Sequence, residues 1–340
     1  MELSTIWFVL IAVLWIGYFT LEGFDFGVGM LLPVLAKDEK EKRVMYNTIG
    51  PVWDGNEVWV LTAGGATFAA FPEWYATLFS GFYLPLLLIL VALIVRNLAF
   101  DWRGKRDDDT WRKNWDMAAI FGSYLPALLW GVAFANIVAG VPIDGDKEFT
   151  GNLFTLLNPF GLLGGLVTLS LFLTHGAMFI ALKTDGEIRL RARALSVKLG
   201  LVAAVLAVVF LVWTLAKVDF KAQPLVLFVL AAGALLGAIF MATKAREGWA
   251  FVLTFVTIAL AVAGLFWALF PNVMPSTTDA AFSLTTSNAS ATDYTLKVMT
   301  IVACIFTPIV LCYQAWTYWV FRKRLTTAHI PDPIADTVKA

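Results

Sequence analysis

The residues best suited to chemistry in this chain are pairs of carboxylates inside apolar stretches. Asp54 and Glu57 stand in GPVWDGNEVW, and Glu22 and Asp25 stand in EGFDFGVG. Each pair has i,i+3 spacing, which puts both side chains on one side of a helix. Each ionised group costs roughly 2.5–3.5 kcal/mol near the centre of a membrane, and such groups often form proton relays there.

A structural role is the alternative for the first pair. Asp54 and Glu57 fall in the first turn of their helix, where a carboxylate complements the helix dipole. That explanation does not cover Glu22 and Asp25, which come near the end of theirs. The two pairs together therefore favour proton chemistry within a membrane.

The composition excludes a soluble domain and gives no indication of nucleic-acid binding. The chain has 340 residues, of which 59% are hydrophobic and 15% are charged, and its formal net charge is zero. Such a composition is typical of an all-α polytopic membrane protein.

Nine apolar runs are long enough to span roughly 30 Å of hydrocarbon: 5–33, 50–70, 74–100, 116–140, 158–183, 195–216, 224–243, 249–270 and 295–321. The short connector Phe71–Glu73 predicts that the second and third runs form a helical hairpin.

The distribution of basic residues predicts the orientation. Of the 25 lysines and arginines, 21 fall on the side that holds the C-terminus. Because cytoplasmic loops carry an excess of these residues, we expect the C-terminus inside and the N-terminus outside. We expect two four-helix units in a parallel pseudo-repeat, 1–140 and 158–270, and a peripheral ninth helix, 295–321. The other segments are an outside connector (141–157), an outside loop (271–294) and a cytoplasmic tail (322–340). Within that loop, Ser276–Asp293 is rich in Ser, Thr and Asn and is expected to be flexible, without a core.

This orientation collects the polar residues of four helices in one layer on the cytoplasmic side. They are Glu22 and Asp25 of span one, Asp54 and Glu57 of span two, Arg96, Asn97 and Asp101 of span three, and His175 of span five. Arg96 and Asp101 could instead neutralise each other and anchor a helix end. Gly23 and Gly27, a small-xxx-small pair, would allow a close helix approach or serve ordinary intrachain packing.

The sequence offers few ligands for a haem iron. The two histidines are His175 and His329, of which the second lies in the polar tail, and no CxxCH motif is present. A core histidine is therefore the favoured role of His175.

Cys304 and Cys312 are about 12 Å apart along one helix, which is too far to form a disulfide, and they are expected to be inert packing residues.

Four segments carry a resemblance to a known family. In order along the chain, they are GFDFGVG (23–29), GPVWDGNEVW (50–59), RNLAFDWR (96–103) and GVAFANIVAGVP (131–142). They resemble the signature segments of subunit II of the cytochrome bd-type quinol oxidases. The later segment LNPFGLLGG (157–165) fits the same family more loosely.

The resemblance implies a place in a terminal oxidase of the bacterial cytoplasmic membrane. In that family, subunit I carries two b-type haems and one d-type haem, oxidises quinol and reduces dioxygen to water. Subunit II resembles it in structure, binds no redox haem and contributes carboxylates to a cytoplasmic proton path. By position in the matching segments, Asp54, Asp25 and Asp101 carry that role, with Glu57 and Glu22 beside them. The other motif residues, expected to serve packing, are Trp53, Gly55, Asn56, Gly23, Gly27, Arg96 and Asn97.

The resemblance also implies lipids, quinol and small single-span accessory subunits as partners, and a structural quinone for which no motif marks a site. Two other classes of function stay open. A proton-coupled transporter would use the same carboxylates, although the sequence lacks the inverted repeats typical of many transporters. An assembly scaffold would use the polar layer only to neutralise charge against a partner.

Overall fold

The computed structural model describes residues 2–217 and 222–330, which form a bundle of long helices. The helices are α1 (Leu3–Leu35), α2 (Glu39–Ile49), α3 (Trp53–Ala70), α4 (Pro72–Gly81), α5 (Tyr83–Trp102), α6 (Asp109–Ala139), α7 (Leu153–Leu156), α8 (Pro159–Lys183), α9 (Glu187–Lys217), α10 (Ala222–Thr243), α11 (Glu247–Leu269) and α12 (Asp293–Val320). Two short strands, β1 (Asn272–Met274) and β2 (Leu284–Thr285), pair antiparallel. Lys221, which the orientation argument places outside, and residues 331–340 of the predicted tail lie outside the described residues.

Eight helices in the described ranges are long and apolar enough to cross a membrane: α1, α5, α6 and α8 to α12. The chain is therefore a multi-pass membrane protein. The second predicted span corresponds to α3, which is not among the eight. It has only 18 residues, and its first turns carry Asp54, Asn56 and Glu57. The orientation and the pseudo-repeat stay predictions.

The predicted hairpin after α3 is tighter than expected, and the third predicted span is interrupted. Phe71 alone separates α3 from α4, because Pro72 starts the next helix. Proline is tolerated there, since the first N–H groups of a helix have no intrahelical partner. A second break at Phe82 divides the third span into α4 and α5. The connector is thus one residue, not the three of Phe71–Glu73.

Helices α1 and α8 pack with their backbones in contact. A Cβ added to Gly27 would lie 2.1 Å from the carbonyl oxygen of Phe172 and 2.7 Å from the Cα of Gly176. A Cβ added to Gly23 would lie 2.7 Å from the Phe172 ring. The close approach expected at these glycines is therefore packing within the chain. It fixes α1, which carries Glu22 and Asp25, against the second half of the bundle.

The end of the bundle at which α1 begins is covered by an ordered segment. Leu284 in β2 and the nearby Ala289 are fully buried, and the Ala291 N–H donates to the Ala70 carbonyl at 2.9 Å. The connector after α6 is bonded to the same part of the chain: the Val141 N–H donates to the Pro275 carbonyl, and the Thr277 N–H donates to the Val141 carbonyl, both at 3.0 Å. The prediction that Ser276–Asp293 lacks a core is wrong. Its polar side chains form hydrogen bonds to the backbone of turns, while its few apolar side chains are buried.

Helix α12 lies at the periphery, and Leu296 is its one buried residue. Cys304 and Cys312 are free and exposed on it, so the expectation that they serve packing is wrong. The chain after α12 is fastened to the rest of the fold: the Leu325 N–H donates to the Lys183 carbonyl at 2.8 Å. The helix is thereby held at both ends, while most of its surface stays open to lipid or to a partner.

Candidate functional site

Three helices bring six of the predicted residues together in what we call the polar cluster. Its members are Glu22 and Asp25 of α1, Asn56 and Glu57 of α3, and Arg96 and Asn97 of α5. The side chains of Glu22, Asp25, Asn56 and Arg96 are fully buried. The i,i+3 spacing on α1 does put both carboxylates on one side of the helix, and that side faces α3 and α5.

Arg96 is the central cation of the polar cluster. Its Nη1 donates to the Glu22 carboxylate and lies 3.7 Å from Oε2 of Glu57. Its guanidinium also lies over the rings of Phe26 and Phe100, at 4.7 and 5.1 Å from their centroids. Arg96 therefore neutralises α1 and α3 carboxylates. The alternative that it pairs with Asp101 is not what the structure shows.

Two amides complete the polar cluster. The Nδ2 group of Asn97 donates to Glu57 Oε1 at 2.9 Å, and Nδ2 of Asn56 donates to Asp25 Oδ2 at 2.7 Å. Asn56 also accepts at Oδ1 from the Tyr318 hydroxyl, at 2.7 Å, and from Gln314 Nε2, at 3.3 Å. Tyr318 and Gln314 lie on α12, so the peripheral helix closes the cluster on one side.

Sequence reasoning missed this contribution of α12. Tyr318 and Gln314 stand some 260 residues after Asn56, far from the one charge of their predicted span, Lys297, and outside every segment that carries the resemblance. The one feature of the sequence that could have indicated this contribution is the spacing of Gln314 and Tyr318, two polar residues one helical turn apart. It is weak, because such groups also occur at the ends of ordinary spans.

The polar cluster holds more negative than positive charge and several polar atoms with no hydrogen-bond partner. Three carboxyl groups share one guanidinium, so the three cannot all be ionised without leaving buried charge uncompensated. The unpartnered atoms are Glu22 Oε2, Asp25 Oδ1, Glu57 Oε2, Arg96 Nε and Nη2, and Asn97 Oδ1. The carboxylate oxygens among them can bind a proton or a water molecule, and the two Arg96 nitrogens can donate to water. Chemically, the arrangement can hold and exchange protons.

Asp54 and Asp101 are not part of the polar cluster. Both side chains are exposed on the chain, Asp54 in the first turn of α3 and Asp101 in the last turn of α5. Asp54 stands one turn before Glu57, the least buried carboxylate of the cluster, whose side chain is 15% exposed. The structure thus divides the five predicted carboxylates into three inner ones and two on the surface.

The remaining motif residues support the helices around the cluster. Trp53 packs edge-on against Phe100, with ring centroids 5.2 Å apart, and so joins α3 to α5. Gly55 is exposed, with no atom within 4 Å of an added Cβ. Its role is therefore not close packing within this chain.

His175 has both ring nitrogens within hydrogen-bond distance of protein groups. Nδ1 lies 2.6 Å from the Thr254 hydroxyl, and Nε2 lies 3.1 Å from the carbonyl oxygen of Thr20. Its ring is fully buried and stacks on Phe251, with centroids 4.6 Å apart. This environment is that of a core histidine. The backbone N–H of His329 donates to the Thr326 carbonyl, and its Nδ1 accepts from the Thr326 N–H.

A second ion-pair network lies next to the cluster, at the junction of α2, α5 and α6. Arg103 donates to Glu39 and to Asp116, and Lys42 lies 2.9 Å from the same aspartate. Tyr46 donates to Asp116 at 2.9 Å. Burial, and then the neighbouring carboxylate of Asp116, raise the pKa of the Tyr46 hydroxyl, which keeps it a neutral donor. This network anchors the amphipathic helix α2 to the spans.

One cavity in the described residues is apolar. It has a volume of about 130 Å³ and lies among α6, α8, α9, α10 and α11. Its two hydroxyls, Thr168 and Thr257, donate to backbone carbonyls of Ala127 and Leu253. The walls accommodate hydrocarbon and offer no free donor to the carbonyls of a quinone headgroup. The walls of this cavity therefore do not fit the headgroup of the structural quinone that the resemblance implies.

Comparison with known proteins agrees with this architecture. Residues 3–321 match the family described as cytochrome bd terminal oxidase subunit II. The chain is 43% identical to the cytochrome bd ubiquinol oxidase subunit 2 of Bacillus subtilis, over 96% of this chain and 97% of the relative. It is 39% identical to the cytochrome bd-I ubiquinol oxidase subunit 2 of Escherichia coli, over 96% of each chain.

A solved structure shows the same fold. A chain of the bd oxidase from Geobacillus thermodenitrificans superposes with a TM-score of 0.79 at 16% sequence identity. The match covers 94% of this chain and 99% of that one. With a family match over nearly the whole length and relatives near 40% identity, the chain belongs to the cytochrome bd terminal oxidase subunit II family.

Proposed function

We propose that this chain is the haem-free subunit II of a quinol-oxidising bd-type terminal oxidase. In this proposal it stabilises a haem-bearing subunit I and supplies part of a proton path from the cytoplasm to the site at which dioxygen becomes water. The complex sits in the bacterial cytoplasmic membrane and acts with quinol, lipids and, where present, small accessory subunits. The family membership and the eight membrane-capable helices support this assignment.

The buried polar cluster is the observation that carries the proton path. A site that reduces dioxygen inside a membrane must draw its protons through polar groups, because hydrocarbon does not carry them. Glu22, Asp25 and Glu57 face one arginine, and the unpartnered oxygen atoms among them can take up and release protons. Intramembrane groups in such clusters are commonly proton relays.

The two exposed aspartates extend the path at its ends. Asp54 stands on the surface one turn before Glu57, and Asp101 stands on the surface one turn after Asn97. In the proposed complex, Asp101 collects protons near the cytoplasm and the cluster passes them on. Asp54 then faces subunit I, whose surface covers α3. A carboxylate left against lipid would be costly, so a covering partner chain also explains its exposure.

The environment of His175 supports the haem-free assignment. A histidine can serve as the axial ligand of a haem iron only through a free ring nitrogen. Both nitrogens of His175 lie within hydrogen-bond distance of groups of the chain, the Thr254 hydroxyl and the Thr20 carbonyl, so ligation of an iron would have to break one of these buried contacts. The haems of the proposed complex therefore belong to subunit I.

Replacing Asp25 by asparagine in the assembled complex tests the proton path. Asp25→Asn keeps the shape and most hydrogen-bonding capacity but removes the exchangeable proton. We expect normal haem content and quinol-driven oxygen consumption at least about tenfold slower, which corresponds to an added barrier of roughly 1.4 kcal/mol. The control is Asp109→Asn, at an exposed position in the first turn of α6.

The other outcomes of this experiment separate the competing functions. A complex that assembles fully and consumes oxygen at the wild-type rate would show that Asp25 is not an obligatory relay, which favours the scaffold. Isolation of the wild-type chain without any haem-bearing partner, and with proton uptake driven by a solute, would instead identify a transporter.

A further inference from the structure

We propose that Tyr318 and Gln314 of α12 are positioning residues that fix the orientation of the Asn56 amide and thereby leave Oδ1 of Asp25 as its proton-exchanging oxygen. This inference rests on the proton path proposed above and names residues outside it. It follows from which group must donate and which must accept in each of a series of connected hydrogen bonds.

The chain of hydrogen bonds begins at Trp59. An indole N–H can only donate, and that of Trp59 lies 3.0 Å from Oε1 of Gln314. Gln314 must therefore turn its Nε2 group the other way. That group lies 3.3 Å from Oδ1 of Asn56 and 3.5 Å from the carbonyl of Gly55, both of which are acceptors. The orientation of the Gln314 amide is thus settled by an indole that cannot accept.

Asn56 transmits this direction to Asp25. Its Oδ1 accepts from the Tyr318 hydroxyl at 2.7 Å, so its Nδ2 faces α1. There Nδ2 donates to Oδ2 of Asp25 at 2.7 Å and approaches the carbonyl oxygen of Leu21 at 3.5 Å. A backbone carbonyl can only accept, so the amide orientation suits both neighbours. Without the donors on α12, the Asn56 amide could flip and turn its oxygen toward Asp25. Because that oxygen can only accept, the contact would then require a protonated Asp25.

The two oxygens of Asp25 consequently differ. Oδ2 is held by an amide donor, whereas Oδ1 is buried and has no hydrogen-bond partner among the described residues. A proton that arrives at Asp25 therefore binds at Oδ1. The charged and titratable groups that interact with Asp25 are Glu22 on α1, Glu57 on α3, Arg96 on α5 and Tyr318 on α12.

The test is Tyr318→Phe in the assembled complex, with oxygen consumption measured across the pH range. The variant keeps the ring and loses one hydroxyl donor, so the Asn56 amide can flip and favour the protonated form of Asp25. We expect normal haem content and a pH–rate profile displaced upward by about one pH unit, the size expected for one hydrogen bond. The control is Tyr313→Phe, at a position on the exposed face of α12, which should match wild type.

Two further variants make every outcome informative. If Tyr318→Phe fails to assemble, Gln314→Met removes the second donor and should displace the profile in the same direction. An unchanged profile in whichever of the two variants assembles would overturn the positioning role. If Asp25→Asn slows turnover while Tyr318→Phe behaves as wild type, the path stands and the positioning role fails. If Asp25→Asn turns over normally, the path itself fails.

Discussion

Arg96 on α5 and Glu22 on α1 form an ion pair in which neither side chain is exposed to solvent. Taking both charges out of water is costly, and the pair persists because the guanidinium also approaches Glu57 and two aromatic rings. The pair joins α5 to α1, and the contact with Glu57 adds α3. Arg96 is thus the positive charge that the carboxyl groups of the polar cluster share.

Removal of this cation should destabilise the assembled protein. Arg96→Leu leaves the cluster carboxylates buried without their counter-charge, and breaking a buried pair from one side costs about 3–5 kcal/mol. We expect a much lower yield of folded complex and a lower midpoint of thermal unfolding. Arg112→Leu serves as the control, because its partners Asp107 and Asp109 are almost fully exposed. Equal losses in both variants would contradict the central role of Arg96.

The contact between α1 and α8 should not tolerate a single methyl group. In Gly27→Ala, the new Cβ would lie 2.1 Å from the Phe172 carbonyl oxygen, so the helices must move apart. Overpacking of this kind costs about 1–3 kcal/mol. Thermal unfolding of the purified complex should show the loss. Gly233→Ala on α10, where an added Cβ has no neighbour within 4 Å, should unfold at the wild-type temperature or slightly above it.

Neutralising the exposed aspartate of α3 should slow turnover without affecting assembly. Asp54→Asn keeps the helix start intact and removes the proton carrier between Glu57 and the proposed partner. We expect normal haem spectra and oxygen consumption about tenfold slower. Failure of Asp54→Asn to assemble would assign the residue to the subunit contact instead. Asp109→Asn, exposed in the same way, is the matched control.

Site-directed labelling tests the orientation. The native cysteines are both exposed, so the background must be Cys304→Ser with Cys312→Ser. Thr278→Cys in the segment before β2 should react with an impermeant thiol reagent added to intact cells, and Asp108→Cys before α6 should not. Both positions are exposed on the chain. Labelling of the second position from outside would overturn the orientation predicted from the lysines and arginines.

Part of the candidate site could be predicted from the sequence. The i,i+3 carboxylates of α1, together with Glu57 and Arg96, do meet at one depth, because apolar runs fix where each polar residue lies along its helix. The sequence does not determine the rotation of one helix against another. That rotation places Asp54 on the surface while Asn56, two residues later, is buried.

Other features depended on contacts between residues far apart in the chain. Tyr318 reaches Asn56 across 262 positions, and no local pattern encodes that contact. The burial of Leu284 in the segment expected to be a loop arises in the same way, from pairing with β1 and packing below it. The break at Phe82 is likewise not marked by a charge, since residues 76–95 carry none.

Proton uptake during a single turnover tests the central claim most directly. The fully reduced complex is mixed with dioxygen in weak buffer, and a pH-indicator dye reports the protons taken from solution while the haem spectrum reports the oxygen reaction. With Asp25→Asn, we expect oxygen to bind at the wild-type rate and proton uptake to be delayed by at least about tenfold. Uptake as fast and as complete as in the wild-type complex would contradict a proton path through the polar cluster.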